Sequence, residues 1–259
     1  MSAGERVDYL DWVLDCQASG SAVDPRRRLA GKLNFLAIDT SSNACSVALQ
    51  TGGRVTHRHS VEPRAHTTVL IPMITELLAE SDIRLCELNA VVLGNGPGSF
   101  IGMRIGASVA QGLSFGAGIS IVPVSSLAAV ASEAFTHCDA DCVVVVQDAR
   151  MNEVYMGVFE RGDAKLPVSL GIEKIVAAGA FSFTARQYAA AGAGWDLYPD
   201  LKAANRDSIM CQVTVSYPDA RHLLALGKHG FNVGEGVSPA NLAPAYLRTK
   251  VADIPTRGN

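Results

Sequence analysis

The sequence predicts an α/β protein in which one mixed-sheet unit is present twice. Residues 33–135 follow the order β-β-β-α-β-α-β-α, with three strands joined by short turns and then strands that alternate with helices. The opening strand ends in Asp39 and turns back, and a strand that begins near residue 141 ends in Asp148 and does the same. The same opening about a hundred residues later indicates a structural duplication. This order of elements is typical of a ribonuclease-H-like sheet with helices on its faces.

The first unit begins with three strands and a helix. The apolar run 33–39 predicts a buried strand, and residues 45–50 predict a second one. Gly52-Gly53 suits a hairpin turn, and the alternating residues 54–61 predict the third strand. Apolar residues three and four positions apart then predict a helix over 66–81.

Two strand-helix pairs complete this unit. Residues 82–88 form a connection to the short apolar strand 90–93, which leads through a glycine-proline turn into a helix over 99–115. Residues 119–123 predict another strand, and residues 125–135 predict the helix after it.

The second unit repeats the strand, the turn and the returning strand. Residues 142–147 are strongly apolar, 148–152 form a turn, and 153–160 predict the returning strand. Residues 161–240 are rich in alanine and glycine and carry no clear period. We therefore predict an N-terminal extension outside the fold at 1–32, a first lobe at 33–137 and a second, degenerate lobe at 138–259.

Composition narrows the class of protein. The 259-residue chain has a net charge of −3, which argues against a large surface that binds nucleic acid on its own. Its six cysteines form no CxxC pair, as is typical of reduced thiols in the cytosol, and Cys138 with Cys142 would supply only half of a metal site. No apolar run is long enough to cross a bilayer, and residues 1–32 lack a signal-peptide pattern. We expect a cytoplasmic protein.

The most informative stretch is the glycine-rich turn and the start of the helix after it. Residues 94–106 read Gly-Asn-Gly-Pro-Gly-Ser-Phe-Ile-Gly-Met-Arg-Ile-Gly. Glycine in the turn permits positive φ and a close neighbour, and Gly102 and Gly106 cost the helix about 1 kcal/mol each in propensity. The close neighbour is either a phosphate or another helix. The stretch lacks the Lys-Ser/Thr pair of a Walker A loop and the spacing of a dinucleotide fingerprint.

Two turns and a histidine pair are the candidates for chemistry. The turn Asp39-Thr40-Ser41-Ser42 suits a phosphate loop, because small residues let backbone N–H groups point at phosphate oxygens. The second turn, 148–153, has bulky side chains and an added acid where glycines are needed. His57 and His59 share one strand face, but no HExxH motif or catalytic triad accompanies them. The residues leave open a small-molecule kinase or ATPase, a metallopeptidase and a binding subunit.

Two neighbouring predicted helices have surfaces that suit contact with another protein. Helix 66–81 has a wider apolar stripe than a helix with one buried face requires, and helix 99–115 has a face of small residues. Helix 66–81 has one apolar line at Leu70, Met73 and Leu77 and an adjacent line at Ile71, Ile74 and Leu78. We predict that the first line faces the sheet and the second faces another subunit, together with the small residues of helix 99–115. The predicted partner interface is Ile71, Ile74, Leu78, Gly102, Gly106, Val109, Ala110 and Leu113.

Six segments of the chain carry a resemblance to a known family. They are LAIDTSSNACSVAL at 36–49, PRAHTTVLIPMITELL at 63–78, GNGPGSFIGMRIGASVAQGLSFG at 94–116, VPVSSLAAVA at 122–131, QDARMNEVY at 147–155 and AYLR at 245–248. Taken in this order and spacing, they resemble the bacterial TsaB (YeaZ) family of tRNA threonylcarbamoyladenosine biosynthesis. Residues 33–160 carry most of the likeness, whereas residues 1–32 fall outside the family pattern and 161–240 match it poorly.

The resemblance implies a degenerate relative of the TsaD enzyme, with an actin-like fold of two ribonuclease-H-like lobes. TsaD has a His-x-x-x-His metal pair where this chain has Ser126 and Val130, and neither side chain can replace imidazole. The resemblance therefore implies a pseudo-enzyme with no catalytic residue, no metal and no cofactor. The implied function is a non-catalytic subunit that binds and activates TsaD in forming N6-threonylcarbamoyladenosine at position 37 of tRNAs reading codons that begin with A.

The resemblance also implies the partners. These are TsaD in a heterodimer and the TsaE ATPase, with a homodimer through the same two helices as an alternative. It implies that tRNA is contacted only indirectly and that no membrane is involved.

Overall fold

The computed structural model describes residues 33–62, 64–163, 166–179, 181–183 and 186–248. Its first sheet has five strands: β1 Phe35–Asp39, β2 Cys45–Thr51, β3 Arg54–Ser60, β4 Ala90–Gly94 and β5 Ser120–Val124. The spatial order is β3-β2-β1-β4-β5, antiparallel from β3 to β1 and parallel from β1 to β5. All five residues of β1 are buried, as a central strand covered on both faces requires. The predicted strand order of this unit is confirmed.

Three helices follow the strands as predicted. They are α1 His66–Glu80, α2 Phe100–Ala117 and α3 Ser126–His137. The hydroxyl of Ser99 caps α2 by accepting from the N–H of Gly102, and α2 ends at Gly118 with a left-handed φ of 61°. The hydroxyl of Ser125 caps α3 in the same way, by accepting from the N–H of Ala128.

The second sheet repeats the topology of the first. Its strands are β6 Cys142–Asp148, β7 Glu153–Arg161, β8 Pro167–Ser169, β9 Lys174–Ala177, β10 Tyr188–Ala191 and β11 Ile209–Gln212. The order is β11-β10-β6-β7-β8, and β9 pairs with the other half of β7. The short strands β8 and β9 together stand where β3 stands in the first sheet. Two ribonuclease-H-like units in one chain give the actin-like architecture, so the predicted duplication is confirmed.

The sequence predicts no elements in the region 161–240, whereas the structure contains several, most of them short. Besides β8 to β11 it contains α4 Gly194–Leu197, α5 Pro199–Ala204 and α6 Ala220–Asn232. The 3₁₀ turns of the described residues are Leu85–Glu87, Arg206–Ser208 and Pro239–Asn241. Only α6 is long enough to carry a helical period, which explains why the sequence pattern is unclear here.

The last helix of each lobe packs mainly against the sheet of the other lobe. The C-terminal helix α6 buries Leu223 and Leu224 with Phe35 of the first sheet, whereas α3 buries Leu127 and Val130 against the second sheet. Helices α1 and α2 cover the opposite face of the first sheet. Both α3 and α6 therefore lie between the sheets, and the lobe boundary predicted between residues 137 and 138 stays a prediction. The predicted extension 1–32 lies outside the described residues.

Candidate functional site

The two Asp-containing turns face each other across a cleft of about 260 Å³. Parallel strands end at the same edge of a sheet, so the turns after β1 and β4 meet at the first sheet and the turn after β6 lies opposite. The wall from the first lobe includes Ser41, Ser42, Gly98, Ser99 and Phe100, and the wall from the second includes Gln147, Asp148, Arg150, Met151 and Tyr155. The C-terminal residues Ala245, Tyr246, Leu247 and Arg248 also line the cleft.

Asp39 ends β1 and is completely buried. One carboxylate oxygen, Oδ1, accepts from the N–H of Ser41 at 2.9 Å and from its hydroxyl at 2.8 Å. The other oxygen, Oδ2, accepts from the hydroxyl of Ser126 at 2.7 Å. Burial raises the pKa of Asp39 from 3.8 to about 6, although the hydrogen bonds from Ser126 and Ser41 oppose this shift. The carboxylate is directed into the protein and is not among the residues that line the cleft.

Two residues make room for this carboxylate and complete its bonding. A Cβ atom on Gly94 would lie 1.9 Å from Oδ2 of Asp39, so no other residue fits there. The hydroxyl of Ser126, while donating to Asp39, accepts from the N–H of Gly96 at 3.1 Å. The first turn of α3 is thereby joined to the ends of β1 and β4.

Asp148 ends β6 and mirrors Asp39. Its Oδ1 accepts from the N–H of Arg150 at 2.8 Å and from the hydroxyl of Tyr198 at 2.8 Å, and its Oδ2 lies 3.1 Å from the guanidinium of Arg150. Burial, followed by the hydrogen bond to Asp148, raises the pKa of Tyr198 to about 12. The next residues, Arg150, Met151 and Asn152, all have φ between 55° and 63°, a left-handed run that is costly without glycine.

These two arrangements disfavour a phosphate clamp. Each aspartate accepts the N–H that lies two residues further along its own turn, a group that a phosphate loop directs at the ligand. The N–H of Ser99 is also occupied, because it donates to the carbonyl of Ser41 at 2.6 Å. The ATPase alternative loses support from the first turn as well as from the bulky second turn.

The glycines of the predicted interface contact the chain itself. A Cβ atom on Gly102 would lie 2.0 Å from the carbonyl oxygen of Thr40, and one on Gly106 would lie 2.4 Å from the Thr40 hydroxyl. A Cβ on Gly98 would lie 2.1 Å from the Ser41 carbonyl oxygen. The close neighbour predicted from the sequence is therefore neither a phosphate nor a second helix, but the turn after β1. The assignment of Gly102 and Gly106 to a partner interface is corrected accordingly.

The predicted division of the α1 face is wrong in part. Leu70 and Leu77 are buried as predicted, but Ile74 and Leu78 are also buried, at 1% and 3% exposure, in the same core. The sheet and α2 together cover a wider arc of α1 than one line of side chains. Of the α1 residues assigned to the interface, only Ile71 is partly exposed.

The same correction applies to α2. Ala110 and Leu113 are buried in the chain's core, and Val109 is only partly exposed. These residues share the inner face of the helix with Gly102 and Gly106, so the inner face cannot be the surface that meets another subunit. The outer face of α2 is the available one.

The outer face of α2 carries two large exposed apolar side chains, which were not singled out from the sequence. Ile101 and Phe115 are 69% and 79% exposed, and they lie at the two ends of a line with 4-3-4-3 spacing. The members of this line, which we call the α2 seam, are Ile101, Ile105, Ser108, Gly112 and Phe115. Ile105 packs partly against the core, and the small residues Ser108 and Gly112 would let a crossing helix approach closely. The spacing was a usable signal, because it is the seam of a coiled coil.

The positions that correspond to the TsaD metal pair, and the other residues considered as metal ligands, have structural contacts. Ser126 bonds to Asp39, and Val130 is fully buried in the core beneath the second sheet. Cys138 and Cys142 lie in the cores on opposite faces of that sheet, so they do not form half a metal site. Nδ1 of His59 lies 3.7 Å from the carboxylate of Asp219, which is already paired with Arg221 at 2.8 Å. No group of three potential ligands forms within the described part of the chain.

Comparison with known proteins gives a consistent set of relatives. Residues 60–256 match the family described as TsaD, tRNA N6-adenosine threonylcarbamoyltransferase. The tRNA threonylcarbamoyladenosine biosynthesis protein TsaB of Haemophilus influenzae is 36% identical over 85% of this chain and 95% of its own length. The TsaB protein of Escherichia coli is 34% identical over 85% and 96%. The structure of YeaZ from Pseudomonas aeruginosa superposes with a TM-score of 0.77 at 33% identity, covering 83% of this chain and all of that one.

None of the helices among the described residues is both long and apolar enough to cross a membrane.

The contact between α2 and the turn after β1 leads to a first prediction. Gly102→Ala places a methyl group against the Thr40 carbonyl and should lower the free energy of unfolding by about 1–3 kcal/mol. Gly112→Ala, on the exposed side of the same helix, should raise it by up to about 1 kcal/mol, because alanine favours helix. Urea denaturation measures both. Equal effects of the two substitutions would contradict the assignment of Gly102 to an internal contact.

The buried Asp39 predicts a specific pH dependence. Its folded-state pKa is raised, so proton binding stabilises the folded chain fully below pH 3.8, and this contribution is lost as the pH rises through about 6. The difference of about two units corresponds to about 3 kcal/mol. The stability of Asp39→Asn relative to the natural chain should therefore rise by about that amount between pH 3.5 and pH 7. Urea unfolding of both chains across this range is the measurement, and parallel profiles would sink the assignment.

Proposed function

The chain belongs to the TsaB (YeaZ) family, and we propose that it serves in tRNA threonylcarbamoyladenosine biosynthesis as a subunit that binds a TsaD-type enzyme and activates it without performing the chemistry. The modification is the one at position 37 of tRNAs that read codons beginning with A. The proposal has two parts, a closed internal site and an open helical surface.

The closed site supports the non-catalytic part. Asp39, the acidic residue of the first turn, is fully buried, is hydrogen-bonded to Ser41 and Ser126, and does not line the cleft. A carboxylate that acts on a metal, a water or a phosphate must reach it within hydrogen-bond distance. Val130 is equally remote from the cleft, since it lies in the second-lobe core. This geometry also weighs against the ATPase and metallopeptidase alternatives.

The α2 seam is the single observation that carries the partner-binding part. Isolated exposed apolar side chains are ordinary, but a line of five positions at 4-3-4-3 spacing, with two large apolar residues mostly exposed, is typical of a helix-helix interface. Burying Ile101 and Phe115 on a partner stabilises a complex by roughly 1.5–3 kcal/mol for each side chain. A helix of the TsaD-type partner is the occupant we propose.

The same surface can also serve in a homodimer, and the TsaE ATPase and tRNA have their own places in the proposed complex. A second copy of this chain can use it in a homodimer, which then competes with the heterodimer for the same surface. We propose that the TsaE ATPase joins through the heterodimer, and that tRNA is contacted through the partner, since a net charge of −3 gives the chain no overall basic excess.

Charged substitutions in the seam test the partner-binding part. Ile101→Glu and Phe115→Glu should each weaken binding to the TsaD-type partner at least about tenfold, because a carboxylate must be desolvated against an apolar helix. Folding stability should change by less than about 0.5 kcal/mol, since both side chains are mostly exposed. Calorimetric titration gives the affinity and thermal unfolding gives the stability.

Val233→Glu is the matched control, because Val233 is 58% exposed but lies just beyond the end of α6. It should bind the partner as the natural chain does. Full affinity of both seam variants, or equal loss in the control, would overturn the assignment of the seam.

The closed site predicts the behaviour of the isolated protein. The chain alone should transfer no threonylcarbamoyl group to tRNA above a no-protein control, and addition of the TsaD-type partner should restore the reaction. Mass spectrometry of digested tRNA detects the modified nucleoside. Nucleoside formed by the isolated chain, and lost in Asp39→Asn, would show that it is an enzyme itself.

A further inference from the structure

The C-terminal segment 242–248 crosses the mouth of the cleft. It leaves the first lobe at Leu242, which is buried in the core under α1 and α2. At the end of β4, the side chain of Asn95 donates to the carbonyl of Ala243 at 3.0 Å, and the N–H of Ala245 donates to the carbonyl of Asn95 at 3.2 Å. The segment is thus anchored to the turn that precedes α2.

Tyr246 is the last anchor on the first lobe. Its ring lies 5.5 Å from the ring of Phe100, and its hydroxyl accepts from Nε of Arg104 at 3.0 Å. The guanidinium carbon of Arg104 lies 3.4 Å from the centre of the Phe100 ring. The three side chains form a stacked cluster on the first turn of α2.

The next two residues belong to the second lobe. Leu247 packs against the hydrophobic cluster of the second sheet. The guanidinium of Arg248 donates to the carbonyl oxygen of Ala149 at 2.8 Å, forms an ion pair with Glu153, and lies 3.4 Å from the sulfur of Met151. Its side chain is only 18% exposed, so the pair is partly shielded from water. The segment therefore joins the two lobes within seven residues.

The turn that Arg248 meets has the opposite chemistry to a phosphate loop. It directs two oxygens, one carbonyl and one carboxylate, at the same point. A phosphate there would meet like charge, whereas a planar guanidinium with several N–H donors matches both oxygens at once. We propose that the turn 149–153 is a guanidinium-binding site whose ligand is Arg248 of the same chain, and that this bond makes segment 242–248 a clamp that holds the two lobes together across the cleft.

Hydrogen exchange of the full-length chain tests the clamp. Arg248→Ala should speed amide exchange at least about fivefold in peptides covering 149–153 and in peptides covering 95–100, because loss of the bond frees both anchors. The exchange rates of Arg248→Lys should lie between those of the natural chain and those of Arg248→Ala, since an ammonium lacks the planar fork of donors. Arg58→Ala is the matched control, because Arg58 pairs with Glu76 and Glu80 within one lobe. It should leave both regions unchanged.

Chemical rescue tests the binding site separately. Ethylguanidinium, at a concentration that does not denature the control, should restore slow exchange at 149–153 in Arg248→Ala but leave 95–100 fast, since the added cation is not tied to the segment. Ethylammonium should restore neither. Equal rescue by both cations overturns the guanidinium site, and unchanged exchange at 95–100 in Arg248→Ala overturns the clamp.

Discussion

The structure depends on one buried carboxylate. Asp39 lies where β1, β4 and the start of α3 converge, and an unpaired charge at that depth would oppose folding. Four neighbours accommodate the carboxylate. Ser41 and Ser126 donate hydrogen bonds to it, and Gly94 leaves space for it. The N–H of Gly96 donates to the Ser126 hydroxyl and so holds that hydroxyl in place. Because these partners come from three separate segments, the carboxylate fixes the first turn, the glycine-proline turn and α3 relative to one another. The same bonds that satisfy the charge withdraw it from the cleft.

The orientation of α2 follows from that arrangement. Once the turn after β1 is fixed, Gly102 and Gly106 bring the helix into contact with Thr40, and the inner face of α2 is then fully used. Among the residues that the structure describes, Ile101 and Phe115 remain exposed on the outer face. An internal packing constraint thus determines which face of the helix is exposed.

Long periodic elements could be predicted from the sequence and short ones could not. The strands and helices of the first unit were placed within two residues, because their apolar periods extend over several turns or alternations. Strands such as β8 and β9 contain three and four residues, too few to show a period. The interface assignment failed for Ile74 and Leu78 because periodicity reports that a face is apolar but not what covers it. The glycines signalled a close neighbour correctly, and only the fold could identify that neighbour as the chain's own turn. The role of Arg248 was similarly hidden, because its acceptors lie nearly a hundred residues away.

The exchange of α3 and α6 has a consequence for biosynthesis of the chain itself. The face of the first sheet that contains Phe35 and Ala37 is covered mainly by α6, which lies nearly two hundred residues further along the chain. Until α6 emerges from the ribosome, that face lacks the cover that Ala220, Leu223 and Leu224 provide, and apolar surface exposed during synthesis is prone to aggregate. The protein thus cannot complete its lobes one after the other in the order in which they are made. The first lobe therefore reaches its final packing only after the second lobe has been made.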